Sequence, residues 1–231
     1  QRSIYMETVR FNPFHQVHQA LRALLYHASI TVQHTDFTQE AQAGKTITLI
    51  EELVNFFEAH AHKEDTQVFP LIAAAAPELV ADFEAQHEKD HELGEELVDA
   101  MHDCRNAVTD QEKILAGKKL QRALNAFTAF NLTHMNAEET VVLDVLHREY
   151  TDEQLLEREQ QIVASLTPAE KAFSGYWMLK GLALNEIIDW YKKIQAAAPP
   201  FVLDEFMHLA EKALSTEKLK TLQQSLNFSL A

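Results

Sequence analysis

Four long stretches of this chain place apolar side chains at every third or fourth residue, and in each the apolar stripe is interrupted by histidine. That spacing puts the side chains on one face of an α-helix, so it dictates amphipathic helices packed face to face. The first stripe is Phe11, Phe14, His18, Leu21, Leu25, Ala28 and Val32; the second is Leu49, Leu53, Phe56 or Phe57, His60, Glu64 and Val68. The third runs Val80, Phe83, His87, His91, Gly94, Val98 and Met101, and the fourth Leu120, Leu124, Phe127, Asn131, His134, Glu138, Val141 and Val145.

Start and stop signals bound the helices. Asn12 as N-cap and Pro13 at the first helical position open the first, expected to run to about Gln33. The second is expected from about Lys45 until Pro70 ends it, the third from Pro77 to about Val108, and the fourth from a cap at Asp110 to about Arg148. Four long helices with short connections predict an all-α fold, an antiparallel up-down four-helix bundle over residues 12–148. Residues 151–231 read as three or four additional C-terminal helices packed on that bundle. Thr151 starts one, Thr167–Glu170 forms a capping box for the next, and Ala198–Pro200 breaks the chain before one or two short helices.

Composition agrees and excludes several function classes. Only 5 Gly and 6 Pro in 231 residues suit helices throughout. A net charge of -15 argues against nucleic acid and against an anionic membrane surface. The single cysteine, Cys104, rules out an intramolecular disulfide or a thiolate cluster, and a buried inert thiol is expected. No apolar run reaches membrane-spanning length, and the first fourteen residues lack a signal-peptide apolar region, so a cytoplasmic location is expected.

The anomaly is 12 histidines, most of them before Tyr150. A buried, unpartnered polar group costs about 1–3 kcal/mol and a buried charge more, so imidazoles and carboxylates scattered in a core would be ruinous. A divalent metal reverses the sign, because neutral imidazole nitrogens and carboxylate oxygens become ligands. Residues four apart on a helix lie about 5–6 Å from each other and can reach one centre. His60/Glu64, His87/His91 and His134/Glu138 have that spacing, and His18 contributes alone from the first helix. Seven ligands suit two ions, with Glu64 and Glu138 bridging, three histidines on one ion and two on the other. Imidazole and carboxylate without thiolate favour iron over manganese or zinc, and leave a position for a small ligand.

The segments HQALRALL (His18), FFEAHAHKEDTQVFPLI (His60, Glu64), QHEKDHEL (His87, His91) and FNLTHMNAEETVV (His134, Glu138) resemble, in that order, the hemerythrin-like domains named for their His-His-Glu cation-binding motif. The resemblance covers about Asn12 to His147. It implies a four-helix bundle with a non-haem di-iron site for O2 or related small ligands. On that likeness His87, His91 and His134 hold one iron, His18 and His60 the other, and Glu64 and Glu138 bridge. Oxygen-carrying hemerythrins place an aspartate five residues after the fourth-helix histidine, whereas Glu138 follows His134 by four. That pattern resembles hemerythrin-like domains used in sensing, iron handling or redox roles.

Other residues compete less well. His15 lines up with Arg22 and Tyr26, off the apolar stripe, and stands as an alternative to His18. His62, Asp65 and Glu139 flank the ligand pairs on other faces and are expected to be solvated or to orient ligands. A ferritin-like carboxylate site fails, since both Glu-x-x-His matches overlap on one helix and the first helix offers no core glutamate. A mononuclear zinc hydrolase lacks His-Glu-x-x-His. Two functions follow from the residues and the resemblance together. One is a binding protein for O2, NO or iron, with a homodimer through the C-terminal helices. The alternative is a di-iron oxidoreductase reducing O2 or peroxide, for which Tyr26 is the candidate proton donor.

Overall fold

The computed structural model describes residues 10–227, all of whose regular structure is helical. The first nine residues, on which part of the signal-peptide expectation rests, lie outside the described residues. Helix α1 spans His15–His34 and α2 spans Glu40–Lys63. A π-helical turn, π1, covers Glu64–Val68 and leads into the short α3, Phe69–Ile72. Helix α4 is Pro77–Asn106 and α5 is Asp110–Ala137. A second π-turn, π2 (Glu138–Val142), continues α5 into α6, Leu143–Glu149.

The ends of these helices follow from local chemistry. Asn12 does not cap α1 directly; its Oδ1 accepts the Phe14 N–H at 2.9 Å, and the helix begins two residues later than its signal. Thr109, not Asp110, is the N-cap of α5, because Glu112 three residues on returns a bond to the Thr109 N–H and completes a capping box. Pro70 does not end the second helix. The preceding π-turn already replaces the i→i−4 ladder, with the Phe69 N–H bonding to Glu64 O, so Pro70 falls in the first turn of α3 where no donor is needed.

Five further helices follow rather than three or four: α7 (Asp152–Ser165), α8 (Pro168–Gly181), α9 (Leu184–Ala197), α10 (Pro200–Ala213) and α11 (Thr216–Asn227). Capping boxes at Thr151 and Thr167 open α7 and α8 as their spacing foretold. The unforeseen break is at Gly181. A Cβ there would collide with the backbone carbonyl of Gln19, so glycine permits the close approach of α8 to α1.

Helix α1 packs against α2, α5 and α8, and α4 against α2 and α5. One apolar core, with Leu21, Leu25, Ile50, Leu53, Leu97, Leu120 and Phe127, fills one half of this helical assembly and includes Trp177 from α8. A second gathers Phe14, Phe69, Ile72, Phe83, Val142 and Leu146. The C-terminal helices enclose a third around Leu179, Ile187, Tyr191 and Leu222, where the Tyr191 hydroxyl donates to Phe206 O at 2.7 Å. Cys104 is half-buried on α4, and burial pushes its thiol up to about 11, which keeps it protonated. No helix among the described residues is long and apolar enough to cross a membrane.

Candidate metal centre

The polar residues of the core meet where the first two apolar clusters abut. His18 sits one turn into α1, and its ring stacks on Phe14 with centroids 5.3 Å apart. His60 lies in the last turn of α2 and Glu64 opens π1; His134 lies in the last turn of α5 and Glu138 opens π2. His87, in mid-α4, stacks on Phe69 at 5.2 Å. His18 and Glu138 have no solvent exposure, and Glu64, His87 and His134 are buried.

The Nε2 atoms pair off. His18 and His60 place theirs 3.2 Å apart, and His87 and His134 place theirs 3.1 Å apart. The two carboxylates lie between the pairs. Glu64 turns Oε1 to His60 (3.1 Å) and His18 (3.7 Å), and Oε2 to His87 (3.5 Å). Glu138 turns Oε2 to His18 (3.4 Å), and Oε1 to His134 (3.3 Å) and His87 (3.9 Å). Each carboxylate thus gives one oxygen to each histidine pair. Two four-residue groups result, His18/His60/Glu64/Glu138 and Glu64/His87/His134/Glu138, sharing both glutamates.

The far side of three of the four rings fixes the tautomer. His18 Nδ1–H donates to Glu139 at 2.8 Å, His87 Nδ1–H to Asp65 at 2.7 Å, and His134 Nδ1–H to Gln86 at 2.9 Å. With the proton held on Nδ1, the Nε2 lone pair is left facing inward. Arg22 donates to the same Glu139 oxygen at 2.6 Å. Burial works to raise Glu139, but its bonds from His18 and Arg22 prevail and hold the carboxyl down at about 2.

Whether a cation fits is decided by Glu64 and Glu138. All four of their oxygens are buried without a hydrogen-bond partner. Buried carboxylates are ordinarily paired or bonded, so four orphaned oxygens facing the Nε2 atoms of four histidines require positive charge between them. Two nitrogens bound about 2.1 Å from one ion at a right angle stand about 3.0 Å apart, close to both observed Nε2 separations. Without a metal, protons serve. Burial lowers the pKa of His18, yet Glu139, Glu64 and Glu138 outweigh it and raise it to about 9. His87 is likewise raised to about 9, with Glu64 and Asp65 overcoming burial. Burial also opposes ionisation of Glu64, but the surrounding histidines, His60 foremost, hold its carboxyl well below the usual range.

A family model, the hemerythrin HHE cation-binding domain, matches residues 11–146. The chain belongs to that family. Searches of curated proteins and of solved structures give no significant match. This hemerythrin-family domain brings together six of the seven residues expected to bind metal. His91 is not among them. Its side chain is 60% exposed, its Nδ1–H donates to Glu58 at 2.7 Å, and Nε2 stands 3.6 Å from Glu95. The structure does not bring His91 to the cluster expected to divide its histidines three and two, and each four-residue group contains two histidines. The buried stripe of α4 runs through positions 80, 83, 87, 90, 94, 97 and 101, alternating steps of three and four. A second step of four from His87 leaves that stripe.

Position 90 holds Asp90 instead, buried and receiving the Asn131 Nδ2–H at 2.5 Å. Burial raises its pKa against the lowering influence of Asn131, His134 and His87. Asp90 and Gln86 were missed by sequence reasoning; both lie within a turn of His87. Asp65 and Glu139, expected to be solvated or orienting, are orienting. His15 donates to Glu186 of α9, His62 is exposed, and Tyr26 is 53% exposed, so none of the three joins the cluster. The two π-turns were also missed. Each begins at a clustered glutamate and adds one residue to the helical phase, and π-bulges are frequent at functional sites. In consequence Phe69 rather than Val68 is buried, and Val142 rather than Val141.

Proposed function

We propose that this hemerythrin-family domain holds two iron ions between Glu64 and Glu138 and there binds a small ligand such as O2 or NO. The observation that carries the reading is the set of four partnerless carboxylate oxygens set between two histidine pairs. His18 and His60 would hold one ion, His87 and His134 the other, and each glutamate would bridge. The iron pair would supply open coordination positions and electrons. Imidazole and carboxylate donors without thiolate favour iron, with zinc and manganese as competitors.

The chain's own groups prepare the site. Glu139, Asp65 and Gln86 keep the Nδ1 protons in place, so the rings present Nε2 without reorganisation. The proposal includes an antiparallel up-down arrangement of α1, α2, α4 and α5 over residues 12–148, with 151–231 as an extension. In support, His18 early in α1 meets His60 at the end of α2, while Thr35 just after α1 bonds Thr46 near the start of α2 at 2.7 Å.

A second reading, reduction of O2 or peroxide, is favoured by one observation. Asp90 is a buried carboxyl with a raised pKa whose charge is felt at both His87 and His134. Burial shifts it toward its protonated form, against Asn131, His134 and His87. Reconstitution with ferrous iron followed by air separates the readings. A stable, reversible absorption change supports binding, and catalytic peroxide consumption that falls in Asp90→Asn supports reduction. Absence of both, with iron fully loaded, refutes both.

A further inference from the structure

A cavity of about 430 Å³ opens directly onto one end of the cluster, where His60 and Glu64 form part of its wall. Its other walls are built from two parts of the chain. Val17 and Phe56 face it from α1 and α2, and Phe173 from α8. Opposite stand Ile162 and Val163 of α7 and Leu166 just beyond it. Helix α7 buries only Leu155, while its Ile162 and Val163 line this space. Val163 stays 45% exposed. This stretch of α7 thus turns apolar side chains toward a mostly apolar chamber.

The size far exceeds what a diatomic ligand fills. A cavity of roughly 150 Å³ accommodates benzene, and organic ligands occupy pockets of about 300–1,000 Å³. The charges around the chamber narrow the class further. Glu52, Glu64, Glu159 and Glu170 contribute to its wall, and the sole lysine there, Lys63, is already within 3.5 Å of Glu170. A carboxylate- or phosphate-bearing molecule would meet uncompensated repulsion on entry. Burial pushes the Glu159 carboxyl up to about 7, against the lowering influence of Lys193, so at neutral pH it donates as readily as it repels.

We propose that the chamber between α7 and the α1/α2/α8 face binds a neutral, mostly apolar organic molecule, seated against the His18/His60 end of the metal centre. The inference rests on the two-metal reading for its second half, the adjacency to metal, and on the cavity alone for its first. It gives the C-terminal extension a role: α7 and α8 convert the flank of a metal-binding bundle into a site selective for uncharged hydrophobic ligands. Leu166, Ile162 and Phe173 supply contact area, and Glu159 offers one hydrogen bond to a carbonyl or hydroxyl on the ligand.

The test uses the full chain loaded with zinc or with cobalt, and N-phenyl-1-naphthylamine, an uncharged fluorescent probe. Saturable binding of one probe per chain is expected, weakened at least about ten-fold in both Ile162→Trp and Ala169→Trp, which fill the chamber from α7 and from α8. Proton NMR relaxation of the bound probe should quicken on the cobalt form and not on the zinc form. Circular dichroism checks that both variants fold, and either folded variant suffices for the comparison. Absent or unsaturable binding overturns the proposal, as does equal affinity in the filled variants or equal relaxation with both metals. Elemental analysis separates the two halves. Metal bound without probe overturns this inference alone; probe bound by a chain that takes up no metal overturns the metal centre and the adjacency with it.

Discussion

Replacing Glu138 with methionine should make the metal-free protein more stable and the metal-loaded protein less responsive to metal. Both Glu138 oxygens are buried without hydrogen-bond partners, and the side chain has no solvent exposure. An apolar residue of similar length removes that desolvation. Replacing a whole buried ion pair in this way stabilises by up to about 1–4 kcal/mol, whereas removing one partner alone usually destabilises, so a gain here requires that the partner charges remain satisfied. They do remain so here. His18 keeps Glu139 at 2.8 Å and Glu64 at 3.7 Å, and His134 keeps Gln86 at 2.9 Å. For a chain of this length each kcal/mol shifts Tm by roughly 2–4 °C, so Glu138→Met should raise the metal-free Tm by about 2–16 °C. Metal at about a thousand times Kd should stabilise the unsubstituted protein by about 4 kcal/mol, and most of that increment should vanish in the variant. Thermal unfolding with chelator and with ferrous iron or zinc measures both quantities. A variant destabilised in chelator by the 1 kcal/mol or so typical of substitutions, or one keeping the full metal increment, would refute the reasoning.

Other outcomes follow from the same geometry. His91→Ala should leave two metal ions per chain, while His87→Ala should lose at least one; equal loss by elemental analysis would restore His91 to the site. Asp65→Asn and Glu139→Gln, which disturb only the Nδ1 partners, should weaken metal affinity about 10–100-fold without altering helical content, as read by competition with a chromophoric chelator. Because His18 and His87 carry raised values of about 9, their contribution to metal-free stability is complete below pH 6.5 and is lost as pH climbs through 9. Metal must displace those protons, so affinity measured by calorimetry should increase with pH up to about 9, with proton release on binding. Gly181→Ala should cost about 1–3 kcal/mol by forcing α8 off the Gln19 carbonyl, visible as a lowered urea midpoint.

The residues that were legible in the sequence are those whose position depends on one helix at a time. His60/Glu64 and His134/Glu138 each sit four apart at a helix end, and the structure brings both pairs together with His18 and His87. The capping boxes at Thr151 and Thr167 worked for the same reason, since they are closed by residues three apart. His91 failed because steps of three and four are equally helical. Only the packing of α4 against α2 and α5 selects Asp90, and that selection is a tertiary event. The π-turns were invisible because the extra residue leaves no mark in composition; it shows only as the shift of burial from Val141 to Val142 and from Val68 to Phe69. Gly181 reads as a weak point in a helix until Gln19 is seen beside it. The chamber needed α7 to be placed, and no local pattern places it.

The central claim is that Glu64 and Glu138 face each other across positive charge, which protons on His18 and His87 supply only until metal displaces them. Crystals of the iron-loaded protein, with anomalous differences collected at the iron edge, test it most directly. The account predicts two peaks per chain between the two glutamates, one beside His18 and His60 and the other beside His87 and His134. A single peak, a peak bound by His91, or density for iron anywhere but between Glu64 and Glu138 would contradict it.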